Sequence, residues 1–174
     1  MKKLSFAILL LNSGCEQEVP YKVLIPHLHD CESWGADRAL TRLEIALDLW
    51  EPNQIIVEDC VDWVPYPDNV EIYSLVDQSY HWAEQGQIDS DRWNMFFVNS
   101  IHKDGQSYTG FTYLAHDLQW FVIGEDKGLK TIAHELGHMF GLDHVKDDSD
   151  NVMFPSDTDG PFVIEDWQIE SIDW

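Results

Sequence analysis

The sequence predicts an α+β domain folded around one sheet of five strands. Three observations lead there. The chain has 174 residues, one domain's worth. Its hydrophobic set is 44%, with 8 Trp, 6 Tyr and 8 Phe, enough to bury a core and to exclude wholesale disorder. Short strand-like runs and helical spacings follow one another as strand–helix–strand–helix–strand–strand–strand–helix–helix, a mixed layout around one sheet. No internal repeat, low-complexity tract or interdomain linker interrupts this order.

The elements follow from local pattern. Tyr21 to His27 contains Lys22-Val23-Leu24-Ile25, a strand-like run ended by Pro26. Asp37 to Trp50 carries Ala39, Leu40, Leu43, Ala46, Leu47 and Trp50 at helical spacing, with Pro52 as a stop. Gln54 to Val64 holds Ile55-Ile56-Val57, a second strand, and Pro65 and Pro67 break the chain. Ile72, Leu75, Val76, Ser79, Trp82 and Ala83 describe a second helix ending near Gly86. Trp93 to Ile101 is a third strand around Met95-Phe96-Phe97-Val98. Gly110 to Ala115 and Trp120 to Ile123 are two more, joined by a short turn. A helix runs from near Lys127 to Gly141. Apolar residues at 163, 164, 167, 169 and 172 describe a closing helix.

The charge balance excludes several partners. With 32 acidic and 10 basic residues the net charge is −22, so no basic stripe exists to meet nucleic-acid phosphates or anionic headgroups. Met1-Lys2-Lys3 and the apolar Leu4 to Leu11 read as an export signal, too short to span a bilayer. The small residues before Cys15 resemble a bacterial lipobox, with Asn12 where that motif usually has Leu. This divides the chain into a signal (1–14), a short tether (15–20) and a folded domain (21–174). It makes the protein exported, periplasmic or at the cell surface through lipid on Cys15, with an ordinary cleaved signal and secretion as the alternative. Removing 1–14 leaves 8 bases against 32 acids, a charge of −24. Cys31 and Cys60 are then an even pair in an oxidising compartment. A bridge would stabilise by about 3–4 kcal/mol, and two buried free thiols is the other reading.

The informative stretch is His134-Glu135-Leu136-Gly137-His138-Met139-Phe140-Gly141-Leu142-Asp143-His144. His134 and His138, four apart, stack on one helix face and can grip one Zn²⁺. Gly141 can adopt the left-handed conformation that ends a helix and turns the chain, bringing back His144. Three histidines leave the fourth zinc position to water, the sign of a catalytic site. Glu135, beside the first ligand, is placed to take the proton of that water as it attacks a peptide bond. A zinc-bearing module that grips extended peptides without cleaving them is the competing reading. It has no need of Glu135. An amidase acting on cell-wall peptides would share the metal chemistry.

This run resembles the extended zinc motif of the metzincin metallopeptidases. Asn151-Val152-Met153-Phe154-Pro155 resembles their Met-turn, and the nine residues from His144 to Met153 are close to the short spacing of the matrixin branch. The motifs cover residues 130–155; the rest of the chain matches by layout. The resemblance implies a single zincin domain with a mixed five-stranded sheet, an active-site helix, a Met-turn and a C-terminal helix. It implies zinc on His134, His138 and His144, Glu135 as general base, and Met153 as support. Substrate would bind extended along an edge strand at Gly110–Ala115, with Pro155 and Ser156 lining a specificity pocket. In other branches a Tyr close after the Met contributes to the site; here Phe154 follows. Matrixins lack the helix at 70–85, whereas the reprolysin branch has something similar.

Other features are weaker. His102, Asp104 and His116 are similar to part of the matrixin structural zinc site, but no later His completes four ligands. Asp147, Asp148, Asp150, Asp157 and Asp159 are expected to form a solvated acidic loop, with Ca²⁺ as the alternative. His27, His29 and His81 show no ligand spacing and are expected to be structural. With six residues between Cys15 and the first strand, no inhibitory propeptide is expected.

Overall fold

Strand Trp93–Val98 organises the molecule. In the computed structural model, which describes residues 22–28, 31, 34–50, 55–62, 69–115, 117–124, 127–155 and 161–172, all six of its residues are buried. A strand covered on both faces needs a continuous apolar run, and Trp93-Asn94-Met95-Phe96-Phe97-Val98 nearly is one. The signal, the tether, Cys15, His29, His116, Ser156, Asp157 and Asp159 lie outside the described residues.

In chain order the elements are β1 (Lys22–Leu28), α1 (Trp34–Leu49), β2 (Ile55–Val57), β3 (Val61–Asp62), β4 (Asn69–Glu71), α2 (Ile72–Glu84), β5 (Trp93–Val98), β6 (Ser100–Lys103), β7 (Gln106–Tyr108), β8 (Gly110–Ala115), β9 (Leu118–Gly124), α3 (Leu129–Met139) and α4 (Asp166–Glu170). The main sheet runs β2-β1-β5-β9-β8, and β3 also pairs β1. The first four strands are parallel; β8 lies antiparallel to β9 at the edge, from Gly110 opposite Ile123 to Ala115 opposite Leu118. Strands at the five expected places thus contribute to one mixed sheet, β3 adds a sixth strand to it, and β4, β6 and β7 form a second, three-stranded sheet.

Side-chain alternation divides the core in two. Met95, Phe97, Phe121 and Ile123 face a cluster with Leu43, Leu47 and Trp50 of the α1 segment and Ile132, Ala133 and Leu136 of α3. Phe96, Val98, Trp120 and Val122 face Ile72, Leu75 and Trp82 of α2. Trp50 is fully buried and donates its indole N–H to Ala133 O (2.9 Å), fixing α1 against α3. Buried Ser79 accepts from Trp120 Nε1 (3.0 Å), so this polar pair is satisfied within the second layer. His27 stacks on Phe96 and bonds Asn94 Oδ1 through Nε2 (3.0 Å), a structural histidine as expected. Cys31 and Cys60 form a disulfide with Cα atoms 5.8 Å apart, joining the end of β1 to the approach to β3.

Three elements differ from expectation. The strand expected over Trp93–Ile101 is two strands in different sheets: β5 stays in the main sheet, while β6 pairs β4 and β7. The β6–β7 hairpin turns on Asp104 (φ 52°) and Gly105 (φ 76°), the two left-handed positions of a tight hairpin. The closing helix is only Asp166–Glu170, because Val163 is held extended: Val152 N–H donates to its carbonyl (2.9 Å) and its own N–H donates to Asp150 O (2.8 Å). Helix α3 begins at Leu129, two residues later than expected, because Gly128 is extended.

Candidate metal centre

Helix α3 puts His134 and His138 one turn apart, with ring centroids separated by 4.7 Å. The helix ends in a Schellman arrangement: Gly141 N–H donates to His138 O (2.9 Å) and Leu142 N–H to Gly137 O (3.0 Å). Gly141 takes φ +86°, and the chain doubles back to set the His144 ring 4.7 Å from that of His138.

The hydrogen bonds decide what the rings can do. His134 Nδ1 bonds Val152 O and His138 Nδ1 bonds Leu142 O, each at 2.8 Å. A carbonyl only accepts, so both Nδ1 atoms carry the proton and both Nε2 atoms present a lone pair. His144 Nε2 lies 3.2 Å from His134 Nε2 and 3.1 Å from His138 Nε2. Two nitrogens about 2.0–2.1 Å from one tetrahedral ion sit about 3.3 Å apart. A proton on His144 could bridge to only one neighbour, whereas a cation satisfies all three. Burial holds His134 down to about 4, with His138, His144 and Lys130 adding to it against the Val152 bond, and burial also lowers His138. Neutral imidazoles are what a metal requires. The donor set therefore fits Zn²⁺. Among the described residues this is the one group of His, Cys, Asp or Glu side chains arranged to hold an ion.

Glu135 follows His134 and is 5% exposed. Its Oε2 accepts from the Thr112 hydroxyl at 2.5 Å. A Cβ on Gly110 would lie 2.6 Å from its Oε1 and 2.8 Å from its Cγ, so only glycine lets the carboxyl lie against β8. Burial pushes this carboxyl up to about 7 and the Thr112 hydroxyl pulls it back. A carboxyl balanced there can accept and return a proton near neutrality. Neither Gly110 nor Thr112 belongs to a sequence motif that marks the site. The available signal was a glycine within a strand, which often marks a close approach of another group.

Met153 is fully buried beneath α3: a Cβ on Gly137 would run into its Sδ. Asn151 Oδ1 accepts from Met153 N–H (2.8 Å), and Asn151 and Gln168 exchange side-chain bonds of 3.0 and 3.2 Å. Helix α4 thus anchors the turn whose Val152 carbonyl orients His134. Met153 thus packs directly beneath the helix that carries His134 and His138.

The histidines and Glu135 open into a cleft of about 550 Å³, walled by β8 on one side and reaching Pro155. Pro155 thus lines the cleft as expected. His102, on β6, is engaged by Ser100 Oγ (3.1 Å) and Ser107 Oγ (3.4 Å), and Asp104 accepts from Tyr73 OH (3.4 Å) while occupying the hairpin turn. The two are not brought together as ligands. Asp148 accepts from Asp150 N–H (2.9 Å), a local turn rather than a cation cage.

No family model matches the chain, and no curated protein matches its sequence. Solved structures do. Archaemetzincin from Methanopyrus kandleri is 16% identical with a TM-score of 0.56, over 86% of this chain and 86% of that one. Metalloproteinase-II from Bacteroides fragilis is 15% identical with a TM-score of 0.52, over 80% of this chain and 47% of that one. The chain has an archaemetzincin-like metalloprotease fold.

Proposed function

We propose that the protein is a zinc-dependent endopeptidase of the metzincin type, matrixin-like in its run from Gly137 to His144. The reading rests on three ring nitrogens within 4.8 Å of one another beside a buried carboxyl in an open cleft. When bound, Zn²⁺ supplies a Lewis acid that polarises a carbonyl and acidifies water. His134, His138 and His144 hold it through Nε2. The outer edge of β8, which pairs only β9 in the main sheet, accepts an extended peptide as an added strand. Glu135 takes the proton released by the attacking water and hands it to the leaving amine, so the acyl half leaves as a carboxylate and the other half as an amine.

A mixed peptide library read by mass spectrometry, with and without a chelator, tests this. Internal cleavages that vanish with the chelator are expected. Glu135→Ala should keep zinc and fold and lose nearly all hydrolysis; cleavage by that variant at the wild-type rate refutes the mechanism. A peptide-gripping module would bind the library and yield no new termini. A buried carboxyl beside the ligands favours catalysis, since binding alone requires no base.

We also propose that the chain is exported from a bacterial cell with lipid on Cys15. Radiolabelled fatty acid should enter the wild type and not Cys15→Ser. Label in both, or in neither, refutes the anchor.

A further inference from the structure

Seven polar or charged side chains are buried among the described residues: His27, Ser79, Asn94, Lys130, Glu135, Asn151 and Gln168. Six are held by hydrogen bonds to named partners. Lys130 is the exception. It is 5% exposed, makes no hydrogen bond or ion pair among the described residues, and is the one buried Lys or Arg there.

The Lys130 stem is packed away while its ammonium, with no protein partner, stays open to the cleft, so the charge is available to a ligand. Its position indicates the ligand. Lys130 lies one turn before His134 on α3 and lines the same cleft. The amine is not sealed in, since among the described residues the only fully buried side-chain nitrogen or oxygen without a partner is His27 Nδ1. The first turn of α3 carries no acidic residue and its N-cap no side-chain bond, so nothing local offsets the positive helix end. Glu135, the other charged group of the cleft, is engaged by Thr112. The rest of the wall carries no charge: Phe111, Leu114 and Tyr108 are apolar or aromatic, and Thr109, Thr112 and Thr131 bring neutral hydroxyls.

We propose that Lys130 is a specificity-determining residue that receives a carboxylate of the bound peptide, so that the cleft selects acidic substrates. This rests on the peptidase reading above for the word substrate, but the binding site is testable without it. A chain of charge −22 repels acidic peptides as a whole, so a preference for them has to arise locally, at a cation such as this one. The carboxylate has two sources, an Asp or Glu side chain or the peptide's C-terminus.

The test uses the full zinc-loaded chain carrying Glu135→Gln, so that binding is read at equilibrium without turnover. Fluorescent amidated hexapeptides carry one Glu walked through an uncharged background, each with a Gln twin. A further pair differs only in a free or amidated C-terminus. Anisotropy should show one Glu position, or the free acid, binding at least tenfold tighter than its twin, as a charge-assisted bond provides. The first outcome assigns a side-chain carboxylate, the second the C-terminus. Lys130→Met, which keeps the stem, should abolish the difference, and Lys130→Arg should retain it. No preference in any pair, or one that survives in Lys130→Met, overturns the proposal. Should the twins separate while the wild type cleaves nothing, the peptidase reading fails and the carboxylate site stands.

Discussion

The carboxyl of Glu135 is set by two opposing influences. Burial under β8 favours its neutral form, and the Thr112 hydroxyl favours its charged form. The hydroxyl is 23 residues away in sequence, on a strand that meets α3 only after the sheet has formed. That distance is why neither Thr112 nor Gly110 was legible, while the His134–His144 spacing was: a helix turn writes its contacts four residues apart and a sheet edge does not. Thr112→Val keeps the volume and removes the donor. It should lower stability of the metal-free protein by about 1–3 kcal/mol, the cost of leaving a buried acceptor unpaired. Peptide cleavage should fall about ten- to a hundredfold on the same scale. Thr112→Ser should restore both. Denaturant unfolding and steady-state cleavage check this, and a Val variant equal to wild type in both would remove Thr112 from the site.

At the scale of elements, the turn after α3 converts a helix into a three-point grip. Two ligands belong to the helix; the third arrives because Gly141 reverses the chain at φ +86°. Nothing lies within 4 Å of where its Cβ would be, so substitution there is costly through the backbone and not through packing. Gly141→Ala should therefore destabilise the fold by about 1–2 kcal/mol and weaken zinc binding, because His144 leaves its register with His138. Calorimetry and metal titration measure the two effects, and unchanged zinc affinity would show that His144 is held by something else. This turn was legible because a glycine in the right place has one main use. The division of 93–101 between two sheets was not. A continuous apolar run says that both faces are covered, and says nothing about which strands do the covering. The Asp104-Gly105 pair was the overlooked mark of the hairpin. The closing helix is shorter than its apolar spacing suggests for a related reason: the spacing of Val163 and Ile164 fits a helix, but the backbone of Val163 is bonded to Asp150 and Val152.

The whole molecule carries its acidity with little compensation. Against 32 acids it has 10 bases, and its surface ion pairs include those of Arg92 with Glu58 and Asp89. Exposed pairs of this kind contribute little. The larger electrostatic effect is repulsion spread over the surface, which opposes the compact state. Screening acts on that repulsion. The Debye length falls from about 10 Å at 0.1 M salt to about 3 Å at 1 M, so distant like charges stop interacting while contact pairs weaken only partly. With exposed contacts that contribute little and a large net charge to screen, the balance favours the folded state. Raising NaCl from 0.1 to 1 M at neutral pH should therefore raise the melting temperature of the metal-free protein, and most of the gain should disappear at a pH near 4.3, where the net charge approaches zero. Thermal unfolding at the two salt concentrations and two pH values reads this directly. A melting temperature that falls with salt at neutral pH would mean that local ion pairs, and not the summed charge, govern the stability of this fold.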